Sequence, residues 1–170
     1  FLIGSEEVAN QVVDRIKGSS FEITRVDKKE RKRNPVPPFI TSTLQQEASR
    51  HHGFSSSRTM QVAQSLYEGI DLGSSGQEGL ITYMRTDSTR VSDDAIAQGR
   101  ELIENNYGKE YVPDKPNIFK TKSKGAQEAH EAIRPTDPAR TPEAMEKYLT
   151  QDQLKLYRLI WNKFIASQMK

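Results

Sequence analysis

A tyrosine stands two residues before an arginine in Tyr83-Met84-Arg85-Thr86-Asp87-Ser88, and no other spacing in the chain says as much about chemistry. In extended backbone, residues i and i+2 project to the same side. A phenol and a guanidinium placed so could share one phosphate: the phenol attacks phosphorus, and the guanidinium balances the charge that develops. Asp87 could orient Arg85 or accept a proton, and Ser88 and Thr89 could donate hydrogen bonds to phosphate oxygens. The same residues also fit a buried strand tyrosine followed by a polar turn. A phenol has a pKa of about 10, so only about one in a thousand is ionised near pH 7. Nucleophilic use therefore requires a nearby positive charge or base.

A second segment, Gln127-Glu128-Ala129-His130-Glu131-Ala132-Ile133-Arg134-Pro135-Thr136, puts His130 and Arg134 four residues apart. On a helix they share a face, pairing a switchable donor with a permanent cation, both suited to a phosphodiester. Glu131 lies one position round the helix, so Glu128 is the better partner for a charged His130. The alternative is a surface helix of mixed charge.

Other candidates offer less. His51 and His52 are adjacent and point apart on a helix. We read no carboxylate at metal-ligand spacing beside them and expect no metal site. The basic run Lys28-Lys29-Glu30-Arg31-Lys32-Arg33 and the lysines of the 115–124 loop, Lys120, Lys122 and Lys124 among them, could touch a nucleic-acid backbone or serve only as solvated charge. There is no glycine-rich phosphate loop, no Ser-His-Asp set and no paired-carboxylate pattern.

Several elements must position these groups. Ser5 is placed to cap a helix with Val8, Val12 and Ile16 on one stripe and Gly18 as its stop. Phe21, Ile23 and Val26 read as a short strand. Pro35-Val36-Pro37-Pro38 is a stiff linker, and a domain boundary is expected near residues 33 to 38. Thr43 and Gln46 have capping-box spacing for a helix ending near Gly53. A second helix starts around Ser56 or Ser57, carries Met60, Ala63 and Tyr67, and ends at Gly69. Two short helices with a tight connection are compatible with a helix-turn-helix or winged-helix arrangement. Residues 78–84 read as a strand leading into the Tyr-x-Arg segment. Ser92 caps a helix with Ile96, Leu102 and Ile103 inward. A loop spans 108–124, and a short helix is expected from Gly125 to Ile133, ended by Pro135. Thr141-Pro142 starts another helix. Thr150 opens a long amphipathic one with Leu154, Tyr157, Trp161 and Phe164 or Ile165 facing a core.

Composition sets outer bounds. The chain has 170 residues, 34% hydrophobic and 28% charged, and reads as extended, multi-lobed or cut from something larger. Its net charge of +2 does not by itself announce a nucleic-acid binder. Absence of cysteine excludes disulfides, thiolate metal sites and cysteine catalysis, and fits a reducing compartment. No apolar run approaches the ~20 residues of a membrane span, and a cytoplasmic location is expected.

Four stretches in order carry a resemblance: Pro37-Pro38-Phe39-Ile40-Thr41-Ser42-Thr43-Leu44-Gln45-Gln46-Glu47-Ala48, the run Thr59 to Gly69, the run Gly79 to Thr89, and Ala126 to Thr136. Together they resemble the bacterial type IA DNA topoisomerases, and Met84 between tyrosine and arginine matches the topoisomerase I branch. The resemblance implies relaxation of negatively supercoiled DNA through a transient 5′-phosphotyrosine on one strand, with passage of the other strand. It implies Tyr83 as nucleophile, Arg85 and His130 as phosphate-stabilising groups, and Arg134, Thr86 and Asp87 as weaker supports, with Ser88 beside them. It implies a mainly α fold: a winged-helix-like tyrosine domain over residues 37–158, a partial β-rich arch segment over 1–36, and a return towards the arch over 159–170. The implied partners are single-stranded and supercoiled DNA and the remaining domains of the same chain, in a nucleoid-associated setting. The family's acidic Toprim domain, which holds magnesium, has no counterpart in these residues, so no cofactor is expected here and the 170 residues alone are expected to be inactive. The rival from another class is a non-catalytic winged-helix module that binds single-stranded DNA.

Overall fold

The structure, a computed structural model, describes residues 3–30, 33–119 and 130–170. The chain divides into two compact units, Phe1–Arg33 and Asn34–Lys170.

The first unit contains helix α1 (Glu6–Lys17). The Ser5 hydroxyl accepts from the Val8 N–H at 3.3 Å, and the Gly18 N–H donates to the Asp14 carbonyl at 3.2 Å. Both ends are where the sequence puts them. Glu6 and Glu7 in the first turn and Arg15 and Lys17 in the last complement the helix dipole. Yet α1 buries no side chain: Val8 and Ile16 of its stripe are exposed. The strand expected around Phe21, Ile23 and Val26 is not formed, and these side chains are also exposed. A strand needs a second strand to take up its N–H and C=O groups, and none exists among the described residues of this unit.

The second unit is mainly helical. Its elements are α2 (Thr41–His52), α3 (Ser56–Glu68), the hairpin strands β1 (Ile70–Asp71) and β2 (Gln77–Glu78), α4 (Asp93–Tyr107), α5 (Pro142–Met145) and α6 (Gln151–Gln168). Helix α2 starts two residues before the expected cap. Thr43 sits inside its first turn, and its hydroxyl reaches back to accept from the Ile40 N–H at 3.0 Å. Gly53, at φ 65°, ends α2 in the left-handed conformation that glycine adopts at least cost. Ser55 then caps α3. β1 and β2 pair antiparallel, Ile70 opposite Glu78 and Asp71 opposite Gln77.

The strand expected over 78–84 is only partly a sheet strand. Beyond Gly79 the chain runs extended between two other partners. The Leu80 N–H donates to the Leu66 carbonyl at the end of α3 at 2.8 Å. Ile81 bridges Pro135, and the Thr82 N–H donates to the Arg134 carbonyl at 2.9 Å. The helix expected over Gly125–Ile133 needs correction where it can be seen. Residues 125–129 lie outside the described residues, and 130–133 are not helical, with Ile133 bridging Phe39. Pro135 disfavours helical backbone just before it, and Ala132 and Ile133 are both fully buried, as suits a segment walled in on both sides.

Helix α6 forms the middle of the core. Leu156, Tyr157, Ile160, Trp161, Phe164 and Ile165 are buried along it, whereas Leu154 is only partly covered. It packs against α2, α3, α4 and α5 and runs unbroken past residue 158. Its two polar aromatics fasten the loop before α5: the Tyr157 hydroxyl donates to the Arg140 carbonyl at 2.6 Å, and the Trp161 indole to the Pro138 carbonyl at 2.9 Å. Burial raises the Tyr157 phenol well above its ordinary range. Arg58 at the start of α3 pairs with Asp152 at the start of α6, fixing the two helices at one end. No helix among the described residues is long and apolar enough to cross a membrane.

Candidate active site

Tyr83 is held by its neighbours before its own side chain is considered. On one side the Thr82 hydroxyl donates to the Ala132 carbonyl at 2.7 Å and accepts from the Arg134 N–H at 3.0 Å. On the other, Met84 is fully buried. The chain bends at Met84 and Arg85, and Thr41 in the first turn of α2 secures the bend. The Thr41 hydroxyl donates to the Met84 carbonyl at 2.8 Å and accepts from the Thr86 N–H at 2.9 Å, and the Thr41 N–H donates to the Thr86 carbonyl at 2.9 Å. The segment is thus tied to α2 after the tyrosine and to residues 132–134 before it.

The Tyr83 ring is half-buried and in contact with two others. Tyr67 of α3 meets it edge to face, with centroids 5.3 Å apart at 65°. His130 lies on it at 5.7 Å and 34°. Arg85 is exposed and makes no ion pair with a described residue. It lies in an open groove of about 470 Å³ along α3, lined also by Met60, Gln61, Gln64 and Glu68. Tyr83 and Arg85 therefore both come to the same helix, although the bend replaces the straight strand from which their pairing is read in the sequence. His130 joins the tyrosine from a segment that is not helical.

The remaining sequence candidates divide. Arg134 does not share a helical face with His130, and its guanidinium is engaged: it pairs with Glu131 at 2.7 Å and donates to the Pro135 carbonyl at 2.9 Å. Asp87 is exposed and does not pair with Arg85. Thr86 and Ser88 are buried, and their oxygens serve the loop: Thr86 Oγ1 accepts from the Ser88 N–H at 3.0 Å, and Ser88 Oγ from the Arg90 N–H at 3.2 Å. Lys120, Lys122, Lys124 and Glu128 lie outside the described residues. His51 does have a carboxylate at hand, one turn earlier: Glu47, at 3.0 Å. That i,i+4 spacing is local to α2 and is written in the sequence. Even so, no group of three or more metal-capable side chains exists among the described residues. Burial, followed by the charge of Lys155, holds His52 below the ordinary imidazole range.

Sequence reasoning gave no role to Thr41, Thr82 or the side chain of Tyr67. The two threonines find their partners 43 and 50 residues away, and no local pattern encodes that. Tyr67 was legible only as one more residue on a helix face.

A family model described as DNA topoisomerase matches residues 2–170. DNA topoisomerase 1 of Rickettsia felis is 52% identical over 170 residues, covering all of this chain and 22% of the relative. DNA topoisomerase 1 of Xylella fastidiosa is 55% identical over 161 residues, 95% of this chain and 20% of the relative. The structure of full-length topoisomerase I from Thermotoga maritima superposes with a TM-score of 0.69 at 53% identity, over 81% of this chain and 21% of that one. The chain spans about a fifth of the length of the curated relatives it matches.

Proposed function

The chain belongs to the bacterial type IA DNA topoisomerase I family, and we propose that Tyr83 is the nucleophile with which the whole enzyme opens one DNA strand. The phenol oxygen attacks a backbone phosphorus, the bond from phosphorus to the 3′-oxygen breaks, and a 5′-phosphotyrosine forms. The phenol proton is balanced by the proton gained at the released 3′-hydroxyl. Reversal of the same step reseals the strand after the other strand has passed, so no external energy is consumed.

One observation carries this reading: the half-exposed Tyr83 ring is in contact with Tyr67 and His130, and two residues on in the chain stands an exposed arginine with no ion pair to a described residue. A guanidinium not already neutralised keeps its charge for a phosphate. In this reading Arg85 balances the pentavalent phosphorus, and His130 donates to a non-bridging oxygen. Arg134 acts through the 130–136 segment, which it fastens from within, and Thr86 and Ser88 shape the loop. The order α2, tight connection, α3, β-hairpin supports a winged-helix reading of the tyrosine domain. The uncovered apolar stripe of α1 supports the reading of residues 1–36 as part of a larger arch domain. Magnesium, which the family resemblance places on an acidic domain elsewhere, finds no ligand cluster among the described residues, and no step above runs through it.

Tyr83→Phe is the test. It removes one oxygen and keeps the ring, so single-stranded DNA binding by the full-length enzyme should be nearly unchanged. Incubation with an end-labelled oligonucleotide should leave no covalent adduct on a denaturing gel. An adduct still forming would defeat the assignment.

A further inference from the structure

Tyr67, in the last turn of α3, is 41% exposed, so the core does not account for its position. Its ring and the Tyr83 ring meet edge to face, with centroids 5.3 Å apart at 65°. That arrangement sets the positive edge of one ring against the negative face of another. The backbone of α3 is also where the Tyr83 segment docks. The Leu80 N–H donates to the Leu66 carbonyl at 2.8 Å, and Gly79 passes so close that a β-carbon there would lie 2.5 Å from the Tyr67 carbonyl oxygen. The end of α3 thus fixes the strand through its backbone and the phenol through a side chain. A half-exposed tyrosine with nothing beside it can turn about its side-chain bonds. With Tyr67 against one part of the ring and His130 against another, one orientation is held.

We infer that Tyr67 is a positioning residue for Tyr83, holding the nucleophilic phenol in its attacking orientation by edge-to-face ring contact while making no bond to DNA itself. This rests on the reading of Tyr83 as nucleophile. The contact needs an aromatic ring and not the Tyr67 hydroxyl, which separates it from a hydrogen-bonding or acid–base role. It concerns the rate of the bound complex, which separates it from a surface on which a DNA base stacks.

The test is single-turnover cleavage of an end-labelled single-stranded oligonucleotide by the full-length enzyme at saturation, beside the oligonucleotide's dissociation constant and the protein's melting temperature. Tyr67→Leu should cleave about two- to tenfold more slowly, the range set by the strength of an aromatic pair, with affinity unchanged. Tyr67→Phe should restore the wild-type rate. Should the leucine variant melt early, Tyr67→Gln, a good helix former for a half-exposed site, must show the same division between rate and affinity. A wild-type rate in the folded variant without the ring, weakened binding at an unchanged saturated rate, or a Tyr67→Phe variant as slow as Tyr67→Leu would each overturn the proposal. Tyr83→Phe run alongside keeps the two readings apart. An adduct there defeats the nucleophile assignment itself, whereas no adduct there together with a wild-type rate for Tyr67→Leu defeats only the positioning role.

Discussion

An arginine beside a nucleophile is useful only if its charge is still available, and here the two arginines of the site part company. Arg134 already holds Glu131 at 2.7 Å, whereas Arg85 has no ion pair with a described residue. Arg85→Ala should therefore slow single-turnover cleavage by about 10²–10³, the loss typical of removing one donor aimed at developing charge. Arg85→Lys should recover only part of that, because an ammonium lacks the planar fork that meets two phosphate oxygens at once. An Arg85→Ala enzyme cleaving at the wild-type rate would remove this residue from the mechanism. The contrast also marks what the sequence can reveal of a site. Tyr83 and Arg85 are legible because a separation of two carries its own geometry. The state of Arg134 was not, because a separation of four from His130 reads as a helical face. Whether an arginine is free depends on which acid the fold delivers to it, and here that acid was Glu131, assigned no partner in the helical reading.

At the scale of elements, the site depends on a junction: the end of α3, the hairpin β1–β2 and the extended run that follows Gly79. The hairpin returns the chain to the helix it has just left, and Gly79 permits the contact by having no side chain. Gly79→Ala would place a methyl 2.5 Å from a backbone oxygen, where neither partner is the yielding end of a side chain. The strand must move, at a cost of about 1–3 kcal/mol, and Tyr83 moves with it. The expected outcome is a lower melting temperature together with a cleavage rate reduced beyond what any loss of folded protein explains. Unchanged melting and unchanged cleavage would mean the junction has slack. The helices around it were legible from local signals. Ser5, Ser92, Thr141 and Thr150 each cap the helix expected of them, because a cap is written within four residues. The 130–136 segment was misread for the opposite reason. Its backbone hydrogen bonds go to Phe39, to Leu80 and Thr82 and to Arg90, and apolar residues around His130 mimic a helical stripe when those distant partners are unknown.

On the scale of the molecule, opening a strand and passing another through it ask for more than a nucleophile. On the proposed mechanism the cleaved 5′ end stays on Tyr83, so the 3′ end must be held by a second body that can separate from the first and return. The charge on the scissile phosphate must also be met by more than one arginine and one histidine. The family resemblance assigns this to magnesium on an acidic cluster, and no group of three or more metal-capable side chains exists among the described residues. With a net charge of only +2, the 170 residues have little long-range hold on DNA. The polypeptide alone should therefore leave supercoiled plasmid unrelaxed on an agarose gel, with or without magnesium. Any binding of single-stranded DNA should be weak and lose roughly 0.7 in log–log salt slope for each phosphate contact removed. Adding the rest of the enzyme as a separate polypeptide should restore magnesium-dependent cleavage if the tyrosine unit, whose core is continuous from α2 to α6, keeps its fold apart from its parent. Magnesium-dependent relaxation by the 170 residues alone would be decisive against this division of labour, since it would require both the second body and the acidic cluster to be supplied from within a unit in which neither is found among the described residues.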